Sequence, residues 1–285
     1  MLRPAALLVL LLATAGVASA QTLEGRLKKI ADGKTVAVAY RTDAMPFSFA
    51  DPQQQPAGYS VDLCKRVVAS IERQLNVGAL QIKWVPVTTQ NRFDTVAKGD
   101  ADMECGSSTV TLSRMRQVDF SNYVFAETTG VLTTVKSGIR SLADIAGKRV
   151  AVVAGTTNER AVNDINKRRQ LNVQVVPMKS REEAVAALED GKVDAFASDK
   201  LLLVGTAAKA RDPRALGLLP EDLSFEPYAI ALPRGDAGLR LAVNTGLAQV
   251  YRDGEIESIF GKWFGQFGEP GVLLKAVFVF GALSE

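Results

Sequence analysis

The sequence contains no histidine. That absence removes the Ser-His-Asp triad, the Cys-His dyad and every histidine-ligated metal site at once. Cysteine is nearly as scarce, and Cys64 and Cys105 alone cannot close a zinc site. There is no long basic run, and 34 basic against 31 acidic residues leave a formal charge of only +3. A nucleic-acid binder carries a concentrated basic footprint, so nucleic acid is not an expected partner. Asp, Glu, Lys or Tyr can still do acid–base work, so catalysis is demoted rather than excluded. No cofactor and no metal are expected. Beyond the N-terminus no apolar run is long enough to span a bilayer, since Lys275 interrupts the stretch 272–279.

What is present is globular in character. At 285 residues, 47% apolar and 23% charged, the chain has room for one large or two medium domains. Residues 1–20 read MLRPAALLVLLLATAGVASA, with Arg3 ahead of an apolar core and Ala18-Ser19-Ala20 at the end. This is the pattern of an export signal cleaved after Ala20, and the apolar run is too short for a permanent anchor. Export places Cys64 and Cys105 where a disulfide persists. Such a bond would close a loop of about 40 residues and contribute roughly 3–4 kcal/mol, the alternative being two buried thiols.

Strand and helix patterns alternate along the rest of the chain. Thr35–Tyr40 reads as a strand, and residues 60–75 carry Val61, Leu63, Cys64, Val67, Val68 and Ile71 at helical spacing. Residues 82–87 and 101–104 read as strands around a helix at 90–98, and 123–133 as a long strand. A second series follows: a short helix at 141–145, strands at 149–153, 173–176 and 193–197, and helices at 159–167 and 181–189. The segment 225–232 reads as a further strand before a helix over 239–252. The alternation implies an α/β fold with parallel sheets. Two similar stretches, RFDTVAKGDADMECGS at 92–107 and EAVAALEDGKVDAFAS at 183–198, suggest two similarly built lobes facing a common cleft. Strand-like links near 125–134 and 225–232 would join them, with ligand at the carboxyl ends of the strands.

Several polar residues fall at those predicted strand ends. Ser107, Ser108 and Thr109 follow a strand, are expected to enter a helix, and lie near Arg114. Free backbone N–H groups with an arginine suit a carboxylate, although spacing alone favours an ordinary Ser/Thr helix cap beside a solvated arginine. Gly155-Thr156-Thr157 repeats the device, without the GxxxxGK[ST] of a nucleotide loop. Arg41 and Arg92 add cations, and Asp199 stands across the predicted cleft as the lone acid. Together these types describe a receptor for a zwitterion with an extra negative charge.

The runs Val87-Thr88-Thr89-Gln90-Asn91-Arg92 and Glu104-Cys105-Gly106-Ser107-Ser108-Thr109, with Arg114 and Phe120-Ser121, resemble the periplasmic glutamate/aspartate-binding proteins of ATP-binding-cassette importers. Gly155-Thr156-Thr157, Phe196-Ala197-Ser198-Asp199 and Lys262-Trp263-Phe264 extend the resemblance over roughly 22–270, and the tail after Gly271 matches poorly. The resemblance implies the type II two-lobe periplasmic-binding fold. Lobe one would be about 22–130 plus 228–285, and lobe two about 131–227. It also implies roles. Arg114, Thr109 and Ser107 would bind the ligand α-carboxylate, Asp199 with Ser107 the ammonium, and Thr157 would contribute from the second lobe. Arg41, Arg92 and Thr89 would hold the side-chain carboxylate, and Arg181 stands where relatives carry a histidine. A monomer that captures glutamate or aspartate by hinge closure and delivers it to a membrane permease is the function implied. The rival on the same fold is an exported dehydratase of cyclic prephenate-type acids, with Asp199 or Glu104 as general acid.

Overall fold

A computed structural model describes residues 23–284. The expected export signal at 1–20 lies outside the described residues. From the N-terminus, α1 (Gly25–Gly33) leads into β1 (Thr35–Arg41) and the short strands β2 (Asp43–Ala44), β3 (Ser48–Ala50) and β4 (Pro56–Ala57). Then come α2 (Tyr59–Leu75), β5 (Gln81–Val87), α3 (Arg92–Lys98) and β6 (Met103–Glu104). The long β7 (Asp119–Thr134) precedes β8 (Arg149–Val153), α4 (Thr157–Arg169), β9 (Gln174–Met178) and α5 (Arg181–Glu189). After β10 (Ala195–Asp199), α6 (Lys200–Ala207) and β11 (Leu216–Leu218), β12 (Ser224–Leu232) returns beside β7. The helices α7 (Ala237–Arg252), α8 (Glu255–Phe264) and α9 (Val272–Gly281) follow.

Nine strands form one sheet in the order β5-β1-β6-β12-β7-β10-β8-β9, with β11 also on β7, and β2, β3 and β4 form a small separate antiparallel sheet. Within each half the pairing is parallel, β1 with β5 and β6, and β8 with β9 and β10. Helical crossovers between successive strands produce that arrangement. In the middle β7 and β12 run antiparallel, from Asp119 opposite Leu232 to Thr129 opposite Ser224. These two strands carry the chain from one α/β lobe to the other and back.

Apolar burial follows the same division. Val36, Phe47, Tyr59, Leu63, Val67, Tyr228, Leu239, Val243 and Phe264 share one core, which Leu202 of α6 joins from the far side. Val131, Ile145, Val150, Val152, Val162 and Ala197 form another, and Leu132, Val185, Leu188 and Phe196 a third on the opposite sheet face. In α2 every position expected from the helical spacing is buried. Near the joint, Phe47, Tyr59, Phe125 and Tyr228 meet edge-on, at 4.8 Å for Phe47–Phe125 and 5.1 Å for Phe47–Tyr228. Such pairs add roughly 0.5–1.5 kcal/mol each beyond area burial.

Three local expectations need correction. Residues 107–116 form no α-helix: Thr109 bridges Tyr228 and the Val110 amide donates to the Pro227 carbonyl at 2.8 Å, leaving only a 3-10 turn at Arg114–Arg116. Pairing with β12 satisfies the backbone that a helix would have used. Residues 141–145 are turn rather than helix, tied by the Asp144 carboxylate to the amides of Arg140 and Ser141 at 3.0 and 2.9 Å. The helices α6, α8 and α9 were not foreseen, being short apolar runs whose period is ambiguous.

The sulfurs of Cys64 on α2 and Cys105 after β6 are bonded, with Cα atoms 6.4 Å apart and a sequence separation of 41. The bond ties α2 to the loop that begins at Gly106. Replacing both cysteines by serine is expected to preserve the fold while removing about 3–4 kcal/mol of loop-closure stabilisation. At roughly 2–4 °C per kcal/mol, the midpoint should fall by about 6–16 °C in a thermal melt, as should that of the reduced wild type. An unchanged midpoint would show that the bond constrains nothing in the unfolded chain.

Candidate functional site

The cleft between the lobes gathers charged groups that sit at strand ends and helix starts. Arg41 ends β1, a strand flanked on both sides, and its side chain is 1% exposed. Two residues on, in extended chain, Asp43 falls on the same side. Its Oδ1 accepts from Arg41 Nε at 2.9 Å and Nη2 at 2.6 Å, and its Oδ2 accepts from Nη2 at 2.9 Å. Arg181, the first residue of α5, comes from the other lobe. It is 2% exposed, and Nη1 lies 3.5 Å from Asp43 Oδ2 while Nε lies 3.4 Å from Ser198 Oγ. The longer side chain in place of a histidine therefore stays in the cleft.

Arg92 opens α3 after a turn in which Asn91 Oδ1 accepts from the Thr88 amide at 2.7 Å. It is 4% exposed, donates from Nη1 to the Thr89 carbonyl at 3.0 Å and stacks on Phe93 at 4.6 Å. Its Nε has no hydrogen-bond partner, nor do the buried Thr89, Ser107 and Ser108 hydroxyls. Burial, then Arg41 and Arg114 nearby, pull its pKa well below the usual arginine range. Glu104 ends β6 fully buried, with neither carboxylate oxygen hydrogen-bonded, and burial lifts its pKa despite Arg92. Gly106 permits this crowding, because a Cβ there would collide with Glu104 Oε1 and press on Arg41 Cγ.

The remaining candidates converge on β12. Arg114 is half-buried, donates from Nη1 to the Thr109 carbonyl at 2.7 Å and lies 5.1 Å from the Phe93 ring. Thr157 starts α4, capped by Thr156, after Gly155 at φ +77°. Its hydroxyl is 3.4 Å from that of Thr109, so the two lobes touch here. Both hydroxyls donate to Glu226 Oε2, at 2.7 Å from Thr109 and 2.6 Å from Thr157. Glu226 Oε1 accepts from Ser224 at 2.6 Å and Thr129 at 3.0 Å. Asp199 is the last residue of β10, 3% exposed, and accepts from Asn158 Nδ2 at 2.8 Å. Burial and then Glu226 raise its pKa.

Of the nine expected residues, Thr89, Arg114 and Thr157 line one cavity between the lobes, and the Thr109 hydroxyl lies against that of Thr157. Arg41 and Arg181 meet at Asp43, Thr109 and Thr157 meet at Glu226 on β12, and Arg92 and Arg114 share the Phe93 ring. The expectation of Asp199 as the lone acid is wrong: Asp43, Glu104, Glu127 and Glu226 join it. Asp43 was signalled by its i+2 spacing from Arg41, and Glu226 by being a lone acid inside an otherwise apolar strand. A cavity of about 450 Å³ opens over Thr89, Phe93, Arg114, Thr156 and Thr157, with Arg160 at its rim. Among the described residues no group of His, Cys, Asp or Glu could hold a metal ion.

A family model for bacterial extracellular solute-binding proteins, family 3, matches residues 36–266. The chain belongs to that family. This family-3 solute-binding protein is 34% identical over 266 residues to the glutamate/aspartate import solute-binding protein of Escherichia coli (strain K12), covering 92% of this chain and 88% of the relative. It is 36% identical over 250 residues to the L-glutamate/L-aspartate-binding protein of Pseudomonas aeruginosa, covering 87% and 82%. Both relatives are named as solute-binding proteins, not as enzymes. The solved structure of the ancestral amino acid-binding protein AncCDT-1, a precursor of cyclohexadienyl dehydratase, superposes with a TM-score of 0.72 at 27% identity, covering 84% of this chain and all of that one. The type II two-lobe fold is therefore that of the family.

One buried acid of this solute-binding protein makes its stability pH-dependent. Glu127 lies opposite Glu226 across the paired strands β7 and β12. Burial, opposed by the Thr128 amide and reinforced by Asp199, pushes its pKa up to about 8. Native Glu127 holds its proton toward pH 8, whereas the unfolded chain releases it near 4.5. Its contribution to stability is therefore full below about pH 4.5 and fades as pH rises through 8. Glu127→Gln is expected to flatten the fall in unfolding free energy between pH 5 and 8, measured by urea titration. An unchanged slope would mean that Glu127 is ionised in the native state.

Proposed function

We propose that this chain is exported to the periplasm by a signal cleaved after Ala20, captures an acidic amino acid by hinge closure and presents it to the membrane permease of an ATP-binding-cassette importer. It would act as a monomer, with lobe one at about 22–130 plus 228–285, lobe two at about 131–227, and β7 and β12 as the hinge. The observation that carries the ligand class is the set of buried donors without partners, Arg92 Nε and the Thr89 and Ser107 hydroxyls, in a cleft walled by arginines. Buried donors of this kind stay unsatisfied at a cost of about 1–3 kcal/mol each, and more when charged. A carboxylate is the group that recovers it. The names of the two relatives support the same class.

In this reading Arg114 holds the α-carboxylate with Thr109 and Ser107, Asp199 pairs with the ammonium, and Thr157 closes down from α4. Arg92 and Thr89 receive the side-chain carboxylate, with Arg41 and Arg181 behind them. Glutamine would leave Arg92 facing an uncharged amide in a desolvated site, which disfavours it. The raised pKa of Glu104 is the feature a dehydratase would need in a general acid. That reading is tested alongside.

Protein stripped of bound ligand is melted against the twenty amino acids, dicarboxylates and a prephenate-type acid. A ligand at 100 times its Kd adds about 2.7 kcal/mol, or roughly 5–11 °C. The shift is expected with glutamate and aspartate only. Equal shifts with neutral amino acids would remove the acidic assignment, and turnover of the cyclic acid would favour the enzyme. Arg114→Ala should abolish binding of every amino acid. Arg92→Ala should weaken acidic ligands by about 2–5 kcal/mol and leave neutral ones nearly unchanged, read by calorimetry.

A further inference from the structure

The distal end of the cleft already contains a carboxylate. Asp43 grips Arg41 through both oxygens and reaches Arg181 across the lobe boundary at 3.5 Å. Its side chain is 23% exposed, whereas those of Arg41 and Arg181 are 1% and 3% exposed. The acid is thus the most exposed of the three groups, with the two guanidiniums lying deeper. The loop that carries it is pressed against the second lobe. A Cβ on Gly205 of α6 would strike the Met45 carbonyl, so the two backbones are in close contact there.

We propose that Asp43 is a specificity-determining residue, an internal carboxylate that competes with the ligand's side-chain carboxylate for Arg41 and Arg181. The inference rests on the acidic-amino-acid reading given above and refines it. With Asp43 in place the ligand's distal carboxylate is left chiefly with Arg92 and Thr89, the donors that have no partner inside the protein. It must also approach a fixed negative charge. Like charges facing each other in a desolvated site are strongly unfavourable. Burial raises the pKa of Asp43, but Arg41 and Arg181 outweigh it and hold the group below the usual carboxylate range, so it is charged at neutral pH. The same carboxylate bridges Arg41 and Arg181, two cations that otherwise repel across the lobe boundary.

The test compares wild type with Asp43→Asn and Asp43→Ser, each stripped of ligand. Calorimetry gives the Kd for glutamate, aspartate and glutamine, and melts are recorded with and without glutamate. Both variants are expected to bind glutamate or aspartate about tenfold or more tightly than wild type, while glutamine changes less than threefold. Their ligand-free midpoints should fall as the two arginines lose their shared partner, and the gap between free and glutamate-bound midpoints should widen. If wild type binds acidic amino acids and the folded variants bind them equally or more weakly, the competition is overturned and the acidic reading stands. If neither wild type nor the folded variants bind any acidic amino acid, both fall. Tighter binding of glutamine to the same extent would mean that the cleft has merely loosened, which also overturns the competition.

Discussion

Placing guanidinium groups in a closed cleft is the constraint on which the rest of this structure depends. Arg41, Arg92 and Arg181 are almost fully buried, and Arg114 is half-buried beside them. A charge taken out of water needs a counter-charge and hydrogen bonds, or the fold that buries it is destabilised. Each arginine is answered differently. Arg41 and Arg181 share Asp43, Arg114 uses the Thr109 carbonyl, and Arg92 has one carbonyl and a ring but an unpaired Nε. The least satisfied cation lies where a ligand would complete the set. An anion bound there would supply what Arg92 lacks, and binding would then be linked to folding.

The same economy explains how the lobes hold together and still part. Their apolar cores are largely separate, so opening the cleft exposes little core surface. Beside the apolar contact of Leu202, the lobes are joined by polar contacts: Thr109 to Thr157 through Glu226, and Arg181 to Asp43. Polar contacts of this kind exchange for water at modest cost. The backbone pairing of β7 with β12 carries the connection through any such motion, which is the arrangement hinge closure requires. Glu226 sits on one of those strands and reads both lobes through one carboxylate.

Much of this was legible in the residues alone, and the parts that were not share a cause. The helical spacing of Val61, Leu63, Cys64, Val67, Val68 and Ile71 located α2, and the alternation of strands and helices gave parallel pairing in both halves. The position of Arg41, Arg92, Ser107, Thr157 and Asp199 at strand ends and helix starts brought them to one cleft. The helix expected after Ser108 failed because β12, more than 110 residues away, offers the 109–110 backbone a partner. Local propensity carries no record of that strand. The contacts of Asp43 with Arg181 and of Glu226 with Thr157 are hidden for a related reason, since each needs a group from the opposite lobe. Of the contacts that carry function here, those made across the cleft are the ones spacing does not reveal.

The missing histidine returns with a physical meaning. Arginine, unlike histidine, has an ordinary pKa far above the physiological range. Burial raises the pKa of Glu104 and Asp199, and that of Glu127 reaches about 8, whereas Asp43 is held low by the two arginines it touches. Protonating Asp199 would remove the partner of a ligand ammonium, while Asp43 would still be charged and still hold Arg41. Acid would therefore loosen the end of the cleft near β12 before it disturbed the end built on Asp43. A histidine among the arginines would couple the two ends to one titration; with arginine throughout, each end answers to its own carboxylate.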